Sequence, residues 1–214
     1  MNQPVLHQFL TGATAGDAIT GQAFLMRDWL RELGFESKVF ALHVHESVAG
    51  EVIPLYSYRR VPGETWAIYR HSIGSAVPEF LAQQQLILLL IYHNITPPEF
   101  FTRFDPQWAG MARQGLAQLH DLRDQTGLAV ADSEFNELDL LAAGYLATSV
   151  LPITLRQDHF EQPSNETTEA KIQRTGPNLL FVSRFAPNKK QEDLVRLMAH
   201  DCRIHPTAKQ YLCL

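Results

Sequence analysis

Cysteine is nearly absent from this chain. Only Cys202 and Cys213 occur, with no CxxC pair, which excludes a disulfide framework and makes a reducing cytosol the expected home. Long hydrophobic runs are missing as well. The longest, "LILLLIY" from Leu86 to Tyr92, falls far short of the roughly 20 residues a bilayer span requires. The opening "MNQPVLHQFL" has neither the basic start nor the apolar stretch of a secretory signal. Excess positive charge is lacking too. Eighteen Lys and Arg stand against 23 Asp and Glu, a net charge of -5. No general pull toward nucleic acid or an anionic membrane is therefore expected, and anion binding has to be local. Neither GxGxxG nor GK[ST] occurs, which sets aside a dinucleotide fingerprint and a Walker loop. Histidine, cysteine and carboxylate spacings give no zinc pattern, so no metal is expected. The sequon at Asn165 is expected to be idle.

What is present is an ordinary globular composition, 45% hydrophobic and 19% charged over 214 residues, enough for one domain plus part of another. Short apolar runs alternate with helical patterns, which predicts an α/β, Rossmann-like parallel sheet with helices on both faces. Strands are expected at 5–10, 37–42, 51–55, 66–71, 86–93, 128–131 and 148–152. Helices are expected from Asp17, a capping residue, to Leu33, then at 75–83, 106–125 and 133–143. The first should bury Met26, Trp29, Leu30 and Leu33, and the last, capped by Ser133, should bury Phe135, Leu138 and Leu141.

Residues 156–177 are polar with no apolar period, and read as a linker between an N-terminal domain (1–155) and a second α/β unit (178–214). The second unit holds one strand at 179–183, one helix and the apolar start "YLCL". That is too little to bury a core alone, so it is expected to be the opening of a larger domain.

In a parallel sheet, ligands bind beyond the carboxyl ends of the strands. His71 in "IYRHSIGS" and His93 in "LIYHNITPPEF" fall at two such ends, where each either caps local backbone or lines a crevice. The loop "TGATAGDAIT" offers Gly12 and Gly16 ahead of a helix N-terminus, which suits a plain strand-to-helix turn or the approach of an anion. The sharper signal is "FVSRFAPNKKQEDL". Asn188 and Gln191 have the spacing of a capping box, which puts Lys189 and Lys190 in the first helical turn, where the helix dipole disfavours cations. Arg184 leaves the preceding strand on the same side. Basic groups converging on a positive helix end would make a site for a diphosphate; the plainer reading is that Glu192 and Asp193 neutralise a solvated face.

"FVSRFAPNKKQEDLV", together with "YRHSIGS", "IYHNITPPEFF" and "ADSEFNELDLLAAGY", resembles bacterial family-4 (group 1) glycosyltransferases of the GT-B fold. The resemblance implies the acceptor-side N-terminal lobe plus the start of the donor-binding lobe. It implies a retaining, metal-independent transfer of a sugar from a nucleotide diphosphate to a saccharide or lipid-linked acceptor, in surface polysaccharide or glycoconjugate synthesis. The donor nucleotide sugar would be a substrate, and no cofactor is implied. On the matching positions, Arg184, Lys189 and Gly16 would hold the donor diphosphate and His93 would border the transfer centre. His71, Asp17 and Asn94 would face the acceptor. Nucleic acid is not an expected partner, and the cytoplasm, with peripheral contact at the inner membrane face left open, is the expected location. The downstream glutamate segment of that family has no counterpart before Leu214, so the chain is expected to be a fragment with little activity alone. The alternative is a non-catalytic carbohydrate-binding or scaffolding domain. A nicotinamide-dependent dehydrogenase would share the fold class but needs the missing glycine fingerprint.

Overall fold

The computed structural model describes residues 3–154, 161, 163–173, 181–183 and 185–204. Strands β1 (His7–Ala13), β2 (Val39–Val44), β3 (Val52–Pro54), β4 (Trp66–His71), β5 (Ile87–Tyr92), β6 (Thr126–Ala131) and β7 (Thr148–Val150) form one sheet in the order β3-β2-β1-β4-β5-β6-β7. Every pairing is parallel. The helices are α1 (Ala18–Glu32), α2 (Val77–Gln83), α3 (Pro106–Asp121), α4 (Glu134–Ala142), α5 (Glu166–Gln173) and α6 (Gln191–Ile204). The strand order reverses between β1 and β4. In a doubly wound sheet that is the switch point where the crossovers leave a crevice at the carboxyl edge.

The expected α/β class is present, and each expected strand of 1–155 lies within a few residues of its predicted place. β1 runs three residues further than predicted because Gly12 and Ala13 pair with His43 and Val44. The buried strands use both faces. On one, Phe9, Phe40, Tyr69, Leu88, Leu90 and Tyr92 pack against Val77 and Leu81 of α2, Ala112 and Leu119 of α3 and Leu140 of α4. On the other, Leu10, Val39 and Ala41 pack on Ala23 of α1. There Ile68, Ile91 and Val130 meet Met26 and Leu30.

Asp17 and Ser133 cap α1 and α4 as expected, accepting from the backbone N–H of Thr20 and of Asn136. The buried helix faces differ from expectation. On α4, Phe135, Leu138 and Leu141 are 72%, 60% and 51% exposed, and the inward stripe is Asn136, Leu140 and Ala143. On α1, Trp29 and Leu33 face out, and Thr20, Gln22, Ala23 and Arg27 are buried. Both errors have one cause. The inward stripes carry polar residues held by partners: Gln22 bonds Arg70 and Arg27 pairs with Glu51 across the fold, and Asn136 bonds Asp132 one turn upstream. Hydrophobicity alone then selects the outward stripe.

Further on, α5 lies inside the stretch expected to be a structureless linker. Phe181 to Ser183 carry no strand pairing among the described residues, while the rest of the expected 179–183 strand and the final "YLCL" lie outside them. Pro187–Lys189 forms a separate 3-10 turn, Lys190 takes a left-handed conformation (φ 49°), and α6 begins at Gln191. The two lysines therefore precede α6 instead of occupying its first turn, which holds Glu192 and Asp193. Lys190 still adjoins the positive end as the residue whose carbonyl accepts from Asp193 N–H, while Lys189 is set one residue further away.

The α4 assignment has a direct test in urea denaturation. Leu140→Ala should cost about 2–5 kcal/mol as a core truncation. Phe135→Ser should change stability by no more than about 0.5 kcal/mol, as an exposed substitution. The reverse order would put Phe135 in the core.

Candidate site at the carboxyl edge of the sheet

β4 and β5 pair with Arg70 opposite Ile91 and His71 opposite Tyr92. His93 is thus one register step beyond His71. Successive strand residues point to opposite faces, so the two histidines, although on adjacent strands, serve different sides of the sheet.

His71 goes to the α2/α3 side. It is fully buried, its Nε2 donates to the Gly115 carbonyl at 2.8 Å, and its Nδ1 accepts from the Tyr69 hydroxyl at 3.0 Å. Burial lowers its pKa to about 4. The loop after it is clamped by Gly74, whose N–H donates to Met111 O at 3.0 Å. A Cβ at Gly74 would stand 2.4 Å from that same oxygen. The Gln118 side chain accepts from Ser75 N and donates to Ser75 O. His71 therefore joins β4 to α3 and does not reach the acceptor side, which corrects its assignment there: both ring nitrogens are used inside the core.

His93 goes to the α1 side, beside Arg70. The Arg70 guanidinium is 1% exposed. Its Nε and Nη2 donate to Gln8 Oε1 at 3.2 and 3.0 Å, its Nη1 to Gln22 Oε1 at 2.7 Å, and its Nη2 also reaches Met26 Sδ at 3.5 Å. The second Nη1 proton is directed at His93 Nε2, 3.3 Å away. Among the described residues no carboxylate pairs with it, and burial alone pulls its pKa down to about 9. On the far side of the ring, His93 Nδ1 is 3.7 Å from Asp132 Oδ2, an electrostatic contact too long for a hydrogen bond. Asp132 also accepts from the Asn136 side-chain amide. The neighbouring imidazole and then that amide hold the Asp132 carboxyl below its usual range. Burial is the main cause that lowers the His93 pKa; Arg70 adds to it, and Asp132 and Asp17 oppose it.

Around this network lie the loops expected to touch a ligand. Gly16 is exposed with φ 79°, a conformation that favours glycine, and a Cβ there would meet nothing within 4 Å. Asp17 is committed locally, accepting from Thr20 N and Thr20 Oγ1, each at 2.9 Å. That use as a cap accounts for it without an acceptor. Asn94, exposed at φ 61°, turns the chain after His93. Lys189 is exposed in the 3-10 turn, and the neighbouring Asn188 Nδ2 donates to Thr96 Oγ1 at 3.3 Å. The basic turn is thereby tied to the loop that carries His93 and Asn94. Arg184 lies outside the described residues.

The structure thus brings His93, Asn94, Gly16, Asp17 and the Lys189 turn to one edge and leaves His71 out. Gln8, Gln22, Arg70 and Asp132 are the members missed from sequence. For Gln8, Gln22 and Arg70 the signal was a polar residue at an inward position of a strand or helix; Asp132 lies in the bend between β6 and α4. A depression lined by Arg123, Thr126, Gly127 and Tyr145 lies at the opposite, amino end of β6 and is separate from this edge.

No protein-family model matches the sequence, and no curated protein matches it. Among solved structures, the fold is similar to an alpha-glucosyltransferase in complex with UDP and a 13-mer DNA (12% identity, 72% of this chain and 43% of that one, TM-score 0.49). It is similar also to an alpha-glucosyltransferase in complex with UDP (10% identity, 71% and 44%, TM-score 0.48). A third complex contains UDP-glucose and DNA with an abasic site (11% identity, 72% and 44%, TM-score 0.49). The chain spans less than half the length of each. Two of these structures hold DNA, so the fold does not itself exclude nucleic acid, and the expectation that excluded it is corrected to that extent. No helix among the described residues is long and apolar enough to cross a membrane.

A pH signature follows from the buried imidazoles. His71 and His7 both have their pKa lowered to about 4, burial being the largest cause in each. In the unfolded chain a histidine binds its proton near pH 6.5. Their stabilising contribution is therefore complete above that value and is lost as pH falls toward about 4, by roughly 3 kcal/mol for His71. Urea midpoints measured from pH 7 to pH 4.5 should fall steadily, and less steeply in His71→Gln. A flat profile over that range would contradict the burial of neutral imidazoles.

Proposed function

We propose that this chain is the acceptor-side lobe, with the opening of the donor-binding lobe, of a nucleotide-sugar-dependent glycosyltransferase resembling the bacterial family-4 enzymes. The observation that carries the reading is the Asn188–Thr96 hydrogen bond, 3.3 Å long. It seats the basic turn of 187–190 against the loop after β5, beside the strand-order reversal where a doubly wound sheet binds its ligands.

In this reading the donor diphosphate lies between the Lys189 ammonium and the Gly16 loop, with Arg184 assigned from its place in the sequence. The bond from the anomeric carbon to the diphosphate oxygen breaks, and positive side chains offset the charge that develops on the departing oxygen. An acceptor hydroxyl, on a saccharide or lipid-linked acceptor, attacks from the same face and passes its proton to the departing diphosphate oxygen, so the anomeric configuration is retained. His93 borders that centre. Lys189 and Arg184 supply the positive field that a divalent cation provides in other transferases. Asn94, on the exposed bend beyond His93, is the acceptor-side residue this geometry retains.

A second reading is favoured by one feature. Phe135, Leu138, Leu141 and the fully exposed Leu146 leave apolar side chains open to solvent on and just after α4. Such surfaces mark interaction sites, which suits a docking or scaffolding domain.

Calorimetric titration of the 214-residue chain with UDP, GDP and ADP separates the two. The transferase reading expects at least one to bind, and Lys189→Ala to weaken it about tenfold or more, the worth of a charge-assisted hydrogen bond. Absence of binding by all three, with saccharides also inert, would favour the scaffold.

A further inference from the structure

We infer that Arg70 is a positioning residue that fixes His93 as the neutral Nδ1–H tautomer, making the imidazole a hydrogen-bond donor on its Asp132 side and barring it from service as a general base. The meaning for transfer rests on the reading of this edge given above; the tautomer itself does not.

The argument is an accounting of protons. A guanidinium has five N–H donors and no acceptor. In Arg70, Nε and one Nη2 proton go to Gln8 Oε1, the other Nη2 proton to Met26 Sδ, and one Nη1 proton to Gln22 Oε1. The remaining Nη1 proton points at His93 Nε2. The two glutamines cannot yield their places. Each turns its oxygen to Arg70 because its NH2 is already committed to a carbonyl, Gln8 to Ala23 O at 2.8 Å and Gln22 to Pro152 O at 3.1 Å. Nε2 must therefore present a lone pair, since a proton there would face another proton across 3.3 Å.

The ring's proton is left on Nδ1. That nitrogen is buried and makes no hydrogen bond, with Asp132 Oδ2 standing 3.7 Å away. A buried donor without an acceptor is costly, so its persistence beside a carboxylate marks a group held ready for Asp132. Protonation to imidazolium would set a second positive charge against the guanidinium. The charged and polar groups facing the ring are Arg70 from β4, Asp17 at the start of α1, Gln22 within it, and Asp132 with Asn136 at the β6–α4 junction. Asp132 and Asp17 favour the cation, whereas burial and Arg70 oppose it and prevail. With Nε2 occupied and Nδ1 already protonated, no lone pair is open to receive a proton from an acceptor hydroxyl. Both ring nitrogens face the protein and the side chain is 1% exposed, so His93 takes no proton from an acceptor hydroxyl.

Long-range imidazole 15N–1H correlation spectra of the 15N-labelled full chain test this, with His93 assigned by difference from His93→Gln. At pH 7 the expected pattern is Nδ1–H with a lone pair at Nε2, with a titration midpoint below that of an unperturbed histidine. An Nε2–H pattern, or a titration midpoint near 6.5, would overturn the inference. Arg70→Met should transfer at least part of the population to Nε2–H, and Arg70→Lys, which keeps a cationic donor, should restore the wild-type pattern. An unchanged spectrum in a folded Arg70→Met would also overturn it. If Arg70→Met does not fold, the wild-type spectrum decides alone. The outcome is independent of nucleotide binding: failed titrations leave the tautomer standing, and an Nε2–H ring would leave binding intact.

Discussion

A guanidinium without a carboxylate partner in the described structure sits at the centre of this fold. Burying a cation is tolerable only where every donor is satisfied, and Arg70 meets that condition by recruiting residues from three neighbouring elements: Gln8 from β1, Gln22 and Met26 from α1, and His93 from the end of β5. The requirement fixes more than local geometry. Gln8 in turn holds the Ala23 carbonyl of α1, and Gln22 holds the chain leaving β7 through Pro152. One charge thereby ties the switch-point strands to the helix above them and to the far edge of the sheet.

That arrangement divides the labour between the two strand-end histidines. The pleat sends His71 into the α3 side, where it is a structural joint, and His93 into the polar network. Neutralising Arg70 with a carboxylate would have satisfied the charge more simply. Using amides and an imidazole leaves the guanidinium charge unpaired among the described residues, while Asp132 sits beyond the imidazole. On the proposed transferase reading an anionic leaving group would gain from that order, because unneutralised positive charge in a poorly solvated setting acts at longer reach than the same charge in water.

The sheet was legible from the sequence because its strands are short apolar runs separated by capped helices, and capping chemistry at Asp17 and Ser133 is local. The helix faces were not. At α1 and α4 the correct inward stripe contains Gln22, Arg27 and Asn136, which look like surface residues until their partners are known: Arg70 and Glu51 on distant segments, and Asp132 in the bend before α4. The site was half legible for the same reason. His93, Asn94 and Gly16 fall at strand ends and turns that a linear reading can find. Whether His93 and His71 share a face depends on a one-residue register step between β4 and β5, which no single-strand pattern contains. Asn188 illustrates a further limit: a residue read as a helix cap instead spends its amide on Thr96, more than ninety positions away in the chain.

The account stands or falls on whether the edge formed by the Gly16 loop, the His93–Thr96 loop and the Lys189 turn receives a nucleotide sugar. Hydrogen–deuterium exchange of the whole chain, with and without saturating UDP-glucose, GDP-mannose or ADP-glucose, measures this directly. Slowed exchange confined to peptides covering 14–17, 93–98 and 187–190 with at least one donor is the predicted result. Protection elsewhere, for instance at the amino end of β6 around Arg123 and Tyr145, or no protection with any of the three, would contradict it.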